Sequence, residues 1–183
     1  MMTNKNITLI LGGARSGKSR LAEKFALNLN LTPIYLATGE ARDSEMAARI
    51  AAHKEDRGQR WKTIEEPLNV GKILHENSEN NSVILVDCLT LWLSNLFEHG
   101  YNIEEQIDQL IEALKSSLGP VVLVSNDVGQ GIVPTNELAR NFRDESGRLN
   151  QKIAAIAQNV YSVTAGLPIP LKEDNKPLTG TFS

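Results

Sequence analysis

Residues 7–11 form a short, largely apolar run that stops at Gly12-Gly13, and beyond it Leu21, Phe25, Ala26 and Leu29 recur at helical intervals. That order reads strand, glycine loop, helix. Residues 33–37 predict a second strand, broken at Thr38-Gly39. Asp43 or Ser44 then caps a helix through Met46, Ala47, Ile50 and Ala51 that ends at Gly58. Residues 83–86 have the pattern of a buried strand closed by Asp87, and residues 89–97 that of a buried helix facing the sheet. A further helix spans 103–118, with Ile107, Leu110, Ile111 and Leu114 on one face, and stops at Gly119-Pro120. Residues 121–125 read as a strand leading to Asn126-Asp127. Residues 138–157 predict a helix interrupted near Ser146-Gly147, and 160–165 a last strand.

Strands alternating with helices predict an α/β fold with a mostly parallel sheet covered on both faces. Residues 1–172 are expected to form one catalytic domain, and the polar segment 173–183 a mobile tail. Ligands of such sheets gather at the carboxyl ends of the strands, so Gly12, Thr38, Asp87 and Asn126 should share one rim.

Composition removes several classes. A chain of 183 residues with a net charge of −3 has no broad basic surface for a nucleic acid. Its apolar runs are too short to span a bilayer, and the residues before the first strand lack the core of a secretory signal, so a cytoplasmic protein is expected. The single cysteine, Cys88, lies in an apolar stretch and reads as a buried thiol. His53, His75 and His99 lack zinc-site spacing.

The chemistry is concentrated in Gly12-Gly13-Ala14-Arg15-Ser16-Gly17-Lys18-Ser19, which satisfies G-x-x-x-x-G-K-[ST] between a strand and a helix. Glycines let the backbone wrap phosphate oxygens, the helix start aims N–H groups at them, and Lys18 adds a point charge. The class implied is a P-loop NTPase. Ser19 is a ligand for Mg2+, and an acid at a strand end is expected beside it. Asp87 fits that role, with Asp127 as competitor; were the reaction a kinase's, either could serve as base, or none would be needed for a loose transition state. These features leave kinase, nucleotidyltransferase, hydrolytic switch and DNA-dependent ATPase open.

Further segments carry a resemblance. They are Tyr35-Leu36-Ala37-Thr38, Glu45-Met46-Ala47-Ala48-Arg49-Ile50 with His53 following, Trp61-Lys62-Thr63-Ile64-Glu65, residues 124–134, residues 139–144 and residues 147–151. With the phosphate loop, and in this order, they resemble the bifunctional adenosylcobinamide kinase/adenosylcobinamide-phosphate guanylyltransferases of cobalamin biosynthesis, from about residue 7 to 172. The resemblance implies a RecA-like fold and two reactions on one corrinoid. ATP or GTP phosphorylates the hydroxyl of the aminopropanol arm, and GTP then donates GMP to that phosphate through a guanylylated histidine. Only His53 lies in the matching segment, so it inherits the nucleophile's role beside Lys18. The loop 12–19, Ala37, Thr38, Gly39, Lys54, Glu55, Asp56, Arg57, Glu65 and Asp87 inherit the guanine-nucleotide contacts. The family usually carries Asn-Glu where this chain has Asn126-Asp127, a carboxylate shortened by one methylene. Similarity also implies a homo-oligomer, a trimer, in which a neighbour completes the corrinoid cleft.

The residues agree with that assignment. In a helix from Ser44, the positions Met46, Arg49, Ile50 and His53 fall along one face, which brings Arg49 toward the phosphate that His53 would attack. A neutral imidazole is a competent nucleophile near neutral pH, and a covalent intermediate divides nucleotidyl transfer into two easier displacements. Arg140, Arg143 and Arg148 are candidate phosphate or corrinoid contacts, or a solvated helix face. Two rivals stand beside this reading: a small-molecule kinase without nucleotidyl transfer, and a RecA-like ATPase acting on nucleic acid.

Overall fold

Leu9 and Ile10 are neighbours in the first strand, β1 (Ile7–Gly12), and both are fully buried, yet they belong to opposite layers of the core. That alternation is the signature of a strand covered on both faces. The computed structural model describes residues 6–178, apart from the side chains of Met46, Arg49, His53, Asp56 and Arg57. After β1 come α1 (Lys18–Leu27), β2 (Thr32–Ala37), α2 (Ser44–Arg57), β3 (Lys62–Glu65), α3 (Val70–Asn77), β4 (Ser82–Asp87) and α4 (Leu89–Glu98). The chain continues through α5 (Ile103–Ser116), β5 (Val121–Asn126), α6 (Glu137–Ile156), β6 (Asn159–Thr164), β7 (Leu167–Glu173) and β8 (Lys176–Pro177).

One eight-stranded sheet runs β3-β2-β4-β5-β1-β6-β7-β8. The strands from β3 to β6 are parallel, and β7 and β8 turn back antiparallel. One face carries Leu9, Leu36, Ile84, Val86 and Leu123, packed beneath α3, α4, α5 and α6. The other carries Ile10, Tyr35, Leu85, Val122 and Val124, covered by Ala22 and Ala26 of α1 and by Trp61. Both faces are therefore buried, and all parallel strands end on one side. Gly12 lies opposite Asn126, Ala37 opposite both Asp87 and Glu65, and Asp87 opposite Val124. The expected rim is formed.

Several elements depart from the sequence reading. The final helix is continuous through Ser146-Gly147, because Ser146 faces the sheet beside buried Leu149 and Ile153, and that burial outweighs the roughly 1 kcal/mol cost of a helical glycine. Strand β6 is not the last. Ala165 and Gly166 both take positive φ, 52° and 80°, which turns the chain directly into β7. Strand β3 and helix α3 escape the sequence reading, since four residues at a sheet edge and a two-turn helix leave little periodicity to read. Of the segment expected as a tail, Glu173 and Lys176 pair within the β7–β8 hairpin, while 179–183 lie outside the described residues, as do 1–5, where a leader would stand. Among the described residues no helix is long and apolar enough to cross a membrane.

Candidate nucleotide site at the carboxyl rim of the sheet

The loop after β1 is built around a position that admits no side chain. A Cβ on Gly12 would lie 2.5 Å from Ser16 Oγ and 2.6 Å from the Val163 carbonyl, so any other residue would push the loop off its neighbouring strand. The loop is closed by Ser16 N–H donating to Gly13 O at 3.3 Å, and tied to the β6–β7 turn by Gly166 N–H donating to Ser16 O at 2.8 Å. Helix α1 has Gly17 as its N-cap and so no side-chain cap, unlike α5 and α6, whose first turns are capped by Asn102 and Asn136. Its first N–H groups are thus left for an anion. Lys18 is 8% exposed and its Nζ donates to Gly13 O at 3.0 Å, folding the ammonium back over the loop. Ser16 Oγ is buried without a hydrogen-bond partner among the described residues, a polar atom inside the loop that a phosphate oxygen would satisfy. Gly13, Ala14 and Arg15 are exposed on its outer side.

Asp87 ends β4, with β5 between it and β1, so two inter-strand steps, about 10 Å, separate its strand from β1. Its Oδ2 accepts a 2.6 Å bond from the hydroxyl of Tyr35, a buried residue packed edge-on against Trp61. Ser19 and Asp87 provide a hydroxyl and a carboxylate, a hard oxygen donor set that fits magnesium shared with phosphate and water. No cluster of three or more His, Cys, Asp or Glu suited to a metal occurs among the described residues. Cys88 is buried as expected, and its thiol is pushed up to about 11, first by burial and then by the charge of Asp87. Asp127 donates its N–H to Gly12 O at 3.1 Å, but its carboxylate accepts from Gly129 N–H and from the Gln130 amide, inside its own loop.

The remaining predicted contacts gather at the other end of the rim. Ala37 ends β2, with Thr38 and Gly39 after it, and Glu65 ends β3, which lies four inter-strand steps or roughly 19 Å from β1. Thr38 is completely buried. Its hydroxyl donates to Cys88 O at 2.7 Å and accepts from Cys88 N–H at 2.8 Å, which ties the rim loops of β2 and β4 together. Ile50 of α2 and Leu91 of α4 both pack over Gly39, and Lys54 Nζ bonds Glu65 Oε1 at 2.8 Å. Glu55 is exposed. At the opposite end of the same helix, Glu45 lines a cleft of about 590 Å3 with Arg15, Ser16, Gly17, Lys18, Ser19 and Arg20. Helix α2 therefore reaches from the phosphate loop toward Glu65. The predicted roles of His53, Asp56 and Arg57 rest on side chains outside the described residues. Arg140 donates to Pro134 O and Thr135 O, Arg143 sits beside Asp144, and Arg148 pairs with Glu145. Sequence reasoning assigns no role to Tyr35, Arg42, Asn95 or Gly166. A lone asparagine in the apolar run 89–97 is the one visible signal.

A glycine phosphate loop at the end of a central parallel strand, with an oriented acid two strands away, defines a P-loop nucleotide-binding α/β enzyme. The profile of the family described as cobinamide kinase / cobinamide phosphate guanyltransferase matches residues 8–171, and the chain belongs to that family. It is 47% identical over 166 residues to the bifunctional adenosylcobalamin biosynthesis protein CobP of Pseudomonas aeruginosa, covering 90% of this chain and 96% of that one. It is 40% identical over 179 residues to the bifunctional adenosylcobalamin biosynthesis protein CobU of Escherichia coli, covering 90% and 98%. Its fold is similar to that of a solved ATPase domain, with TM-score 0.56 and 14% identity over 96% of this chain and 79% of that one, which marks the sheet as RecA-like.

Proposed function

We propose that this enzyme carries out both reactions of its family along one rim, with residues 12–19 as the phosphate seat and His53 as the carrier of GMP. In the kinase step the γ-phosphoryl group of ATP or GTP passes to the hydroxyl of the aminopropanol arm of adenosylcobinamide. The loop amides and Lys18 bind and neutralise the triphosphate, which supplies most of what a loose transition state requires. Magnesium, held by Ser19 and Asp87 with phosphate oxygens, would supply further charge neutralisation. In the transfer steps a ring nitrogen of His53 attacks the α-phosphorus of GTP and pyrophosphate leaves. A phosphate oxygen of adenosylcobinamide phosphate then displaces the imidazole, giving adenosylcobinamide-GDP. Ala37, Thr38, Gly39, Lys54, Glu55, Asp56, Arg57 and Glu65 form the guanine-nucleotide end of the rim.

The observation that carries this reading is the course of α2, whose first turn shares the phosphate-loop cleft while Lys54, next to His53 in the chain, bonds Glu65 at the rim's far edge. We further assign a homo-oligomer, a trimer. Its support is the stretch from the loop after β5 into α6, where Ile132 is 98% exposed and Val133 and Leu138 are also exposed, an apolar segment that a neighbouring chain or the corrinoid would cover. A cytoplasmic setting would supply both nucleotides.

Incubation with GTP labelled at the α or the γ position tests the proposal. Acid-labile, alkali-stable protein label from the α position alone is expected. His53→Ala should abolish it while sparing most phosphorylation of adenosylcobinamide. Label that survives His53→Ala removes the carrier assignment, and phosphorylation without any α label leaves a simple kinase.

A further inference from the structure

We propose that Asn95 and Arg42 are positioning residues for nucleotidyl transfer, fixing the root of α2 against the rim; the inference rests on the assignment of the GMP carrier to that helix. Asn95 lies on α4 among Trp92, Leu93 and Leu96 and is 2% exposed. An amide in such a place is costly unless its donors and acceptor are paired. Here Nδ2 donates to Thr38 O at 2.7 Å and to Pro67 O at 3.0 Å, and Oδ1 accepts from Arg42 Nη2 at 2.6 Å. One side chain thus joins the loop after β2, the loop after β3 and the segment leading into α2. Trp92, one turn earlier on α4, adds a 2.7 Å bond from its indole N–H to Leu68 O.

Arg42 turns this hub toward α2. Its guanidinium also contacts Glu40 at 3.0 Å and Glu98, and His99 Nε2 stands 3.2 Å from Glu40 Oε1. A planar, multiply bonded guanidinium fixes direction as well as distance. The next residue is Asp43, whose carbonyl accepts the first bond of the helix from Ala47 N–H at 2.9 Å. The direction in which α2 leaves the sheet is therefore set one residue beyond the clamp. Further along, the helix is held by Ile50 over Gly39 and by the exposed Lys54–Glu65 pair, contacts that set its height above the rim but fix its heading weakly. The phosphate loop and Asp87 are held by other groups, Gly166 and Tyr35. Loss of the clamp should therefore misplace the nucleophile far more than the phosphate seat.

The test compares full-length wild-type, Arg42→Ala, Arg42→Lys, Asn95→Asp and His53→Ala proteins in single-turnover labelling by α-labelled GTP and in phosphorylation of adenosylcobinamide. Asn95→Asp keeps the shape but removes the donors to the Thr38 and Pro67 carbonyls. Arg42→Ala alters a partly exposed residue and keeps the test valid should the buried variant fail to fold. Arg42→Ala and Asn95→Asp should lower the maximal labelling rate by roughly tenfold or more, as expected for a displaced nucleophile, with half-saturating GTP and phosphorylation within about threefold of wild type. Arg42→Lys should fall between, since one ammonium replaces a fork. Wild-type labelling in both variants overturns the inference while leaving the carrier assignment intact, provided His53→Ala is dead. Equal losses in both reactions, tracking a fall in melting temperature, overturn it as well. Label retained by His53→Ala overturns the carrier assignment and this inference together.

Discussion

Tyr35 and Cys88 both adjoin Asp87, and they differ in what they do for it. The tyrosine hydroxyl donates to the carboxylate at 2.6 Å from a buried, aromatic-packed position, so it orients the acid. Tyr35→Phe should cost stability about 2 kcal/mol, the worth of a hydrogen bond to a charged acceptor, and raise several-fold the magnesium concentration needed for half-maximal phosphorylation. An unchanged magnesium dependence would detach Asp87 from the metal. Cys88 is instead kept neutral by burial and by the acid, with its thiol at about 11 against 9.0 for a free one. Between those values the unfolded chain has lost a proton that the folded chain retains, so stability falls as pH rises from 9 toward 11 and is unaffected below that window. The two-unit gap amounts to roughly 3 kcal/mol, and urea midpoints should fall across that range more steeply in the wild type than in Cys88→Ala. At this scale the phosphate loop was legible because its eight residues are contiguous. Tyr35 was not, because its partner is 52 positions away and meets it only through strand pairing.

Among the elements, the β6–β7 turn has the most direct bearing on the nucleotide. Gly166, at φ 80°, donates to Ser16 O, and its Cα lies 3.2 Å from where a Cβ on Gly17 would stand, so the turn backs the phosphate loop from behind. A β-branched residue there is strained by its backbone alone, since the space around it is open. Gly166→Val should weaken binding of a fluorescent GDP analogue by roughly tenfold, from about 1–2 kcal/mol of strain passed to the loop, while Gly166→Asn stays near wild type. Gly100→Val, at φ 69° away from the loop, should lower the melting temperature without changing that affinity. A titration in which both valine variants behave alike would reduce the turn to ordinary structure. The sequence conveyed the order of β1, α1, β2, α2, β4, α4, α5, β5 and α6, where apolar spacing is strong. It did not convey that the chain turns back after β6, because Leu167, Ile169 and their flanking prolines lie exposed at the sheet's end, and an exposed edge leaves no burial pattern to read.

For the whole molecule, a RecA-like sheet sets where a nucleotide sits but not what its hydrolysis or transfer serves. A nucleic-acid partner would need a basic track and aromatic side chains standing in solvent. The chain carries a net charge of −3, and among the described residues Tyr101 is the one exposed aromatic, because Tyr35, Trp61 and Trp92 are consumed by the core. Three of the arginines that could have contributed to a track are spent locally: Arg42 on Glu40 and Glu98, Arg140 on the carbonyls of Pro134 and Thr135, Arg148 on Glu145. Labelled single-stranded DNA should therefore show no anisotropy change with micromolar protein even at about 50 mM salt, where phosphate contacts are strongest. Addition of DNA should also leave nucleotide turnover within about twofold of its basal rate. Binding that weakens steeply with salt, accompanied by faster turnover, would mean that neighbouring chains assemble a basic surface that a single chain lacks, and the rim would then have to be reassigned from a corrinoid to a polyanion.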